Sequence, residues 1–282
     1  MSDAEAVVGT DVPLDLTLSA SELDARREHI IRFLRGTVDD AGAAGAVLGL
    51  SGGIDSTLTA HLAVEALGTD GLHGLVMPSE VNDDANMSDA ERVADDLDIS
   101  YDVIGIEPVV ESFREAFPAD LDDAESDAAT TAVGNVRVRT RAIFNYFAAN
   151  LEDRIVLGTG NRSEALAGYF TKYGDQAVDC NPIGNLYKVQ VRQLARHVGV
   201  PDDLVAKTPT AGMWVGQTDE EEMGLSYDVL DAVLALHIDG PLTKAATVRE
   251  LAIDEAVVER VEDLVARSEH KRHMPPAPNS LD

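Results

Sequence analysis

The sequence predicts an α/β fold, a doubly wound parallel β-sheet with flanking helices. Short apolar runs bounded by turns alternate with segments of helical period, the pattern of βαβ units. Two of those runs, Ala46 to Leu50 and Ile155 to Leu157, end in glycine-rich turns. The 282 residues are 45% hydrophobic, enough for one large domain with a substantial core.

The elements follow in order. Residues 1–20 read as a poorly packed lead. Ser21 to Val38 fits an amphipathic helix with Leu23, Ile30, Ile31 and Leu34 as its apolar positions. Ala46 to Leu50 is the first strand and Ser56 to Leu67 the helix after it. Leu72 to Met77 is a second strand stopped at Pro78-Ser79. The acidic, Asn-rich stretch Glu80 to Asp89 predicts a mobile loop, Ala90 to Leu97 a helix, and Ser100 to Ile106 a third strand. Pro108 to Phe117 is helical, and Pro118 to Asp127 a solvated acidic loop. Thr130 to Asn150 fits one long helix leading to the fourth strand at Ile155. A short helix from Ser163 to about Gly168 precedes a loop, Tyr169 to Asn185, with Gly, Pro and few periodic positions. Val189 to Val198 is a helix closed by Gly199 and Pro201. Lys207 to Glu221 reads as a loop; helices follow over Ser226 to Leu236, Thr247 to Ile253 and Glu255 to Arg267, then a proline-rich tail from Met274.

Composition excludes several functions. No apolar run is long enough for a membrane span. The acidic N-terminus lacks the basic region of a secretory signal. Cys180 is the one cysteine, which excludes an intrachain disulfide and suits a cytoplasmic setting. A net charge of −29, from 51 acidic and 22 basic residues, argues against nucleic acid or anionic lipid as a partner. We read that charge as a solvating surface suited to high salt, where screening removes most self-repulsion. Lysine is scarce, at 172, 188, 207, 244 and 271 alone. Positive charge kept in so acidic a chain should mark a polyphosphate site.

The most specific segment is Leu48-Gly49-Leu50-Ser51-Gly52-Gly53-Ile54-Asp55-Ser56-Thr57. A glycine-rich turn between strand and helix lets backbone N–H groups converge on an anion, helped by the helix N-terminus. The P-loop ending Gly-Lys-Ser/Thr is missing, and so is the dinucleotide fingerprint. Asp55 sits inside the turn instead, and a carboxylate beside phosphates makes physical sense with a divalent metal between them. A glycine turn without a ligand is the plain alternative. The second turn is Gly158-Thr159-Gly160-Asn161-Arg162-Ser163-Glu164. Read alone, Ser163 is a helix N-cap and Glu164 a dipole partner in the first turn. If the two strands are neighbours where the strand order reverses, both turns face one ligand.

Further segments follow: Gly168-Tyr169-Phe170-Thr171-Lys172-Tyr173-Gly174-Asp175, Asp179-Cys180-Asn181-Pro182-Ile183, Tyr187-Lys188, Lys207-Thr208-Pro209-Thr210-Ala211, Trp214-Val215-Gly216-Gln217-Thr218-Asp219-Glu220 and His270-Lys271-Arg272. Together with the two turns they resemble the NAD synthetase family, in its short, ammonia-dependent form, from about Leu48 to Arg272. The resemblance implies one synthetase domain over residues 1–282 with an adenine nucleotide alpha hydrolase-like, Rossmann-like sheet. It implies that ATP adenylates the nicotinate carboxylate of deamido-NAD, releasing pyrophosphate, and that ammonia then displaces AMP. By the same resemblance Gly49, Leu50, Ser51, Gly52, Gly53, Ile54, Asp55, Ser56, Ser79, Thr159, Lys188 and Thr210 meet ATP. Asp55 and Glu164 hold Mg²⁺, and Arg139, Lys172, Asp179, His270 and Lys271 contact deamido-NAD. Asp55 and Lys188 serve catalysis, and Asp175 or Asp179 orients or deprotonates ammonium. The family's homodimer is expected through the helix near 140–150, which carries Ile143, Phe144, Tyr146 and Phe147. Two departures stand out: Arg162 where the family often has Lys, and Gln176-Ala177 where Gly-Gly is usual.

Each residue has a plainer reading. Arg137, Arg139 and Arg141 can be surface or core-edge partners of acids. Lys172 can make a structural cation–π contact among its aromatic neighbours. The basic run 270–272 can face a helix dipole. Two other functions share the first turn: an ATP-dependent amidotransferase or RNA-thiolating enzyme, disfavoured by the charge and the lack of paired cysteines, and a non-catalytic ATP sensor. A sensor has no need of Glu164, Lys172, Asp179 and Lys188 together.

Overall fold

The computed structural model describes residues 16–78, 84–118, 127–212 and 217–279. The N-terminal part alternates helices and strands: α1 (Ala20–Ala41), β1 (Ala46–Leu50), α2 (Ile54–Leu67), β2 (Leu72–Val76), α3 (Asp84–Asp96), β3 (Ser100–Val103), α4 (Glu107–Ala116), α5 (Asp127–Glu152) and β4 (Ile155–Leu157). The remainder is helical: α6 (Arg162–Ala167), α7 (Lys188–His197), α8 (Asp202–Val205), α9 (Asp219–Met223), α10 (Tyr227–Val233), α11 (Lys244–Leu251) and α12 (Glu255–Ser268). No described helix is long and apolar enough to cross a membrane.

The four strands are parallel and ordered β3-β2-β1-β4. The chain steps outward from β1 through β2 to β3, then crosses back to place β4 on the other side of β1. Ala46 pairs with Leu72 on one side and Ile155 on the other, so the order reverses at β1. The carboxyl ends of β1 and β4 are therefore neighbours, and their glycine-rich turns open toward the same crevice.

Helices cover both faces of the sheet, so its central strands are apolar throughout. Ala46 and Leu48 join a core with α1, α2 and α7, in which Leu34, Leu58, Leu62 and Leu194 are fully buried. Val47, Leu75 and Val156 point the other way, toward α5 and Ile106. Each such aliphatic side chain contributes about 1.5–3 kcal/mol by leaving water. A separate cluster, centred on Tyr227, Leu230, Val258 and Val261, packs α10 and α12 beside α6.

The structure departs from expectation in identifiable places. The stretch read as a loop over Glu80 to Asp89 is helical from Asp84. Within Lys207 to Glu221, α9 begins at Asp219; its four acids occupy the first turn, where the helix dipole favours them. The four-residue α8 carries no periodic signal. β3 ends at Val103, three residues early, although Ile104 N–H still reaches Val76 O at 2.8 Å. Residues 1–15, Ser79, residues 119–126 of the acidic stretch expected to be a loop, and Trp214-Val215-Gly216 lie outside the described residues.

Candidate active site

The turn after β1 is built to present donors. Gly52 adopts φ 71°, a left-handed conformation that costs a side-chain-bearing residue energy. The hydroxyls of Ser51 and Ser56 lie 3.0 Å apart, Gly53 N–H donates to Ser51 Oγ at 3.2 Å, and Ser56 Oγ donates to Gly53 O at 3.0 Å. Gly53 is the N-cap of α2 and supplies no side-chain acceptor. The opening N–H groups of α2 thus remain for an anion.

The turn after β4 meets it. Gly158 has no room for a side chain: a Cβ there would sit 2.2 Å from Asn181 Oδ1. Asn161, rather than Ser163, caps α6, its Oδ1 accepting Glu164 N–H at 3.0 Å. Asn161 Nδ2 also donates to Asp55 Oδ1 at 2.9 Å, tying the two turns together. Ser163 is fully buried and donates to Asp231. Between the turns lies Lys188, 2% exposed, whose Nζ donates to Asp55 Oδ2 at 2.6 Å and to Glu164 Oε1 at 3.0 Å. The Tyr227 ring lies 5.1 Å from that ammonium, and the Tyr227 hydroxyl donates to Asp219 Oδ2 at 2.9 Å.

These groups wall a cavity of about 500 Å³. Among the residues expected there, Gly49, Leu50, Ser51, Gly53, Ile54, Asp55, Ser56, Thr159, Glu164, Asp175, Lys188, Thr210 and Lys271 line it. Gly52 is buried behind it. Lys271 Nζ donates to the carbonyls of Gly168 and Phe170 at 2.8 and 2.9 Å. Asp175 accepts Thr171 N–H at 2.7 Å; the surrounding protein pushes its carboxyl up to about 6, while one face stays open to the cavity. Exposed Arg139 and His270 and half-buried Lys172 form a set outside the lining. Arg139 donates to Lys172 O at 3.1 Å, and Lys172 Nζ to His270 O at 2.8 Å, with the Tyr173 ring 5.2 Å away. Asp179 is also outside the lining, and its carboxylate is committed elsewhere. Oδ2 accepts Val156 N–H at 2.7 Å and Oδ1 accepts the Tyr146 hydroxyl at 3.0 Å, which pins the loop to β4. Arg137 pairs with Glu107 at 2.8 Å, as a core-edge arginine should. Arg141 instead donates to Met77 O at 3.1 Å in the cavity wall, where burial and Arg137 bring it down to about 10.

A family model for NAD synthase matches residues 27–275. The chain belongs to the NAD synthase family. Among its relatives in that family is the NH(3)-dependent NAD(+) synthetase of Halobacterium salinarum, 62% identical over 94% of this chain and 97% of that one. The protein of the same name from Pyrococcus horikoshii is 47% identical over 90% and 94%. Among solved structures, NMN synthetase from Francisella tularensis superposes with a TM-score of 0.78 at 34% identity, over 94% of this chain and all of that one. NH3-dependent NAD synthetase from Campylobacter jejuni gives 0.74 at 27% identity, over 93% and all. These neighbours agree with the parallel sheet and flanking helices. The Halobacterium relative accords with reading the −29 charge as salt adaptation.

Sequence reading of this NAD synthase family member quoted Asp219 in a motif without giving it a role, and missed Tyr227 and Asp231. Asp231 carried a signal: it falls on the apolar stripe of α10 with Tyr227, Leu230 and Leu234, where an acid is rare unless partnered. Asp219 is 3% exposed and its Oδ1 has no hydrogen-bond partner among the described residues. Asp55, Glu164 and Asp219 all act on Lys188, leaving an excess of hard anionic oxygens at the cavity wall. That donor set fits a divalent cation. No three such side chains among the described residues converge closely enough to hold one unaided, so a cation there would need phosphate and water oxygens to complete its shell, as is usual for Mg²⁺.

The same excess predicts a pH dependence of stability. Burial is the main cause that raises Glu164 to about 7, and likewise Asp231 to about 7. Both folded-state values lie above the ordinary carboxylate range, so the folded protein holds protons that the unfolded chain has lost. Their contribution is complete below the ordinary values and is lost as pH rises through about 7. Each proton contributes a slope of about 1.4 kcal/mol per pH unit. Surface carboxylates held low by partners, such as Asp239 beside Arg162, act oppositely but are screened by solvent. The urea midpoint at constant high salt, without divalent metal, should be higher at pH 5 than at pH 8. An equal or higher midpoint at pH 8 would show that these carboxyls ionise normally.

Proposed function

We propose that this chain is an ammonia-dependent NAD synthetase: ATP adenylates the nicotinate carboxylate of deamido-NAD, and ammonia displaces AMP. The observation that carries the reading is the meeting of Asp55, Glu164 and Lys188 between two glycine-rich turns at adjacent strand ends, in a member of the NAD synthase family.

A carboxylate is a poor acylating agent. Its oxygen attacks the α-phosphorus of ATP, and pyrophosphate leaves. The turn over Gly49–Ser56, with Thr159 and Thr210, would cradle the phosphates through N–H and hydroxyl donors. Charge develops on the leaving pyrophosphate, and Lys188 at the cavity wall would stabilise it. Mg²⁺ would be held by Asp55 and Glu164 and would supply charge neutralisation at the phosphates. Deamido-NAD would enter along Lys271, with Arg139, Lys172 and His270 at the rim of the cavity. Ammonium must lose a proton before it attacks the acyl carbon. Asp175 is the candidate acceptor, since its raised carboxyl lies closer to neutral pH than an ordinary aspartate. No protein nucleophile is needed, so catalysis rests on positioning and charge. The adenylate would hydrolyse in contact with water. Lys207, whose Nζ donates to Asp89 at 2.6 Å and to Gly52 O at 3.3 Å, joins the loop after α8 to the first turn and favours closure over the site.

The homodimer is best supported by two apolar rows. Ile143, Phe147 and Leu151 on α5, and Val109, Phe113 and Phe117 along α4 and its end, are all exposed at i, i+4, i+8 spacing. Such a face favours a second copy over water. The single thiol favours a cytoplasmic setting.

The deciding assay supplies ATP, Mg²⁺ and ammonium at high salt, with deamido-NAD or nicotinate mononucleotide as the acid, and follows the amide formed. NAD from deamido-NAD, with ammonium required, supports the proposal. Amidation of the mononucleotide alone would shift the reading to the activity that the Francisella neighbour is named for. No amide from either acid would remove it. Sedimentation of the same preparation should give twice the mass of one chain; a single-chain mass would remove the dimer.

A further inference from the structure

The side chains at the reaction centre are held in place by a carboxylate that does not touch the cavity. Asp231 on α10 is fully buried and accepts two hydrogen bonds, one from the Ser163 hydroxyl and one from Val189 N–H at 2.9 Å. Ser163 Oγ in turn accepts Lys188 N–H at 2.9 Å. Ser163 is the residue before Glu164 on α6, and Val189 the residue after Lys188 on α7. One carboxylate therefore satisfies the Val189 N–H in the first turn of α7 directly and, through Ser163, orders the acceptor of the Lys188 N–H, which fixes the start of α6 against α7. The two residues whose side chains meet at 3.0 Å, Lys188 and Glu164, each stand next to a residue bonded to that carboxylate. α10 also holds the far end of the lysine. Tyr227, one turn before Asp231 on the same face, lies against the ammonium at 5.1 Å.

A buried carboxylate is costly to maintain, and an apolar residue would suit the packing of α10 better. We propose that Asp231 is a positioning residue for the synthetase reaction: through Ser163 and the first turn of α7 it aims the Lys188 ammonium at Asp55 and Glu164. Both groups facing Asp231 are donors. An aspartate accepts from both and a leucine of similar volume accepts from neither; an asparagine would not discriminate, because the Ser163 hydroxyl can accept an amide N–H as well as donate. The change to leucine should therefore break the clamp while leaving volume and packing almost unaltered.

The test uses Asp231→Leu in the full chain at high salt, with Ser163→Ala carried through the same measurements in case the first variant does not fold. The proposal rests on the synthetase reading for its kinetic arm. There kcat should fall by about 10- to 100-fold, the size expected for a partner of a functional group, with KM for ATP unchanged within about threefold. The second arm does not need activity: labelling by an amine-reactive reagent, read by peptide mass spectrometry at Lys188 against the surface residue Lys244. Lys188 should be protected in the parent protein and labelled at least about fivefold faster in the variants, relative to Lys244. Unchanged kcat with Lys188 still protected would overturn the proposal, and so would a lower kcat with Lys188 still protected. If the parent makes no NAD, faster labelling of Lys188 in the variants still upholds the aiming role and unchanged labelling still overturns it, so failure of the synthetase reading stays separate.

Discussion

Replacing Asp55 by asparagine is expected to cut NAD formation by roughly 10³-fold, with the protein still folded. The effect is large because Asp55 works in two directions. Its Oδ2 holds the Lys188 ammonium at 2.6 Å, and its Oδ1 accepts from Asn161 Nδ2 at 2.9 Å. An asparagine offers one acceptor and one donor to two donors. If its carbonyl keeps Lys188, its amide faces the Asn161 amide, and Asn161 caps the helix that carries Glu164. If its carbonyl keeps Asn161, the ammonium loses its shorter bond. Either way the second carboxylate moves with the first, and one of two proposed cation ligands is gone. Exchange of labelled pyrophosphate into ATP separates the steps: it should fall as far as NAD formation, because adenylation is the step that needs the phosphates held. NAD formation within tenfold of the parent would mean that Asp55 only braces the turn. Glu164→Gln should resemble Asp55→Asn in the exchange assay, but its backbone N–H keeps the Asn161 cap, so α6 stays seated.

Local chemistry was legible in the sequence; meetings between distant segments were not. β1 and β4 begin and end where the apolar runs do, because a short run stopped by a glycine turn leaves little choice of boundary. The pairing of β1 with β4 is a hydrogen-bonding fact between segments about a hundred residues apart, which no local pattern encodes. Lys188 and Asp55 are 133 residues apart, and only a family resemblance put them in one site. The cap of α6 was misread because Asn161 and Ser163 are both good N-caps two residues apart. The tertiary demand decided between them: Ser163 is needed by Asp231, which leaves Asn161 to cap. Asp179 has a structural role that its motif did not announce. It stands where the resemblance implies a ligand contact, yet in this chain its oxygens serve Val156 and Tyr146. Asp231 was overlooked for want of a motif, although an acid inside an apolar stripe is itself a physical signal.

Lys188→Met should show the other side of the same cluster, in stability as well as rate. The ammonium is buried between two carboxylates and close to a third, and these partners hold its proton firmly, raising its pKa against the opposing effect of burial. Removing it leaves Asp55 and Glu164 near each other with no cation between them, a loss of about 3–5 kcal/mol for an unpaired buried charge. The carboxylates can escape by taking up protons, and Glu164, already pushed up to about 7, is the one to do so. The loss should therefore be largest at pH 8 and smaller at pH 5, which steepens the fall of stability with pH already expected of the parent. A divalent cation offers a second escape. With the ammonium gone, Mg²⁺ should raise the urea midpoint of the variant more than that of the parent, because it restores charge the parent already has. Activity should fall by about 10²- to 10³-fold, since Mg²⁺ can neutralise the carboxylates but cannot also stand in for the lysine at the departing pyrophosphate. A variant as stable as the parent at pH 8, and no more responsive to Mg²⁺, would show that solvent reaches Asp55 and Glu164 well enough to make the lysine dispensable. The charge argument for the cation site would then fall with it.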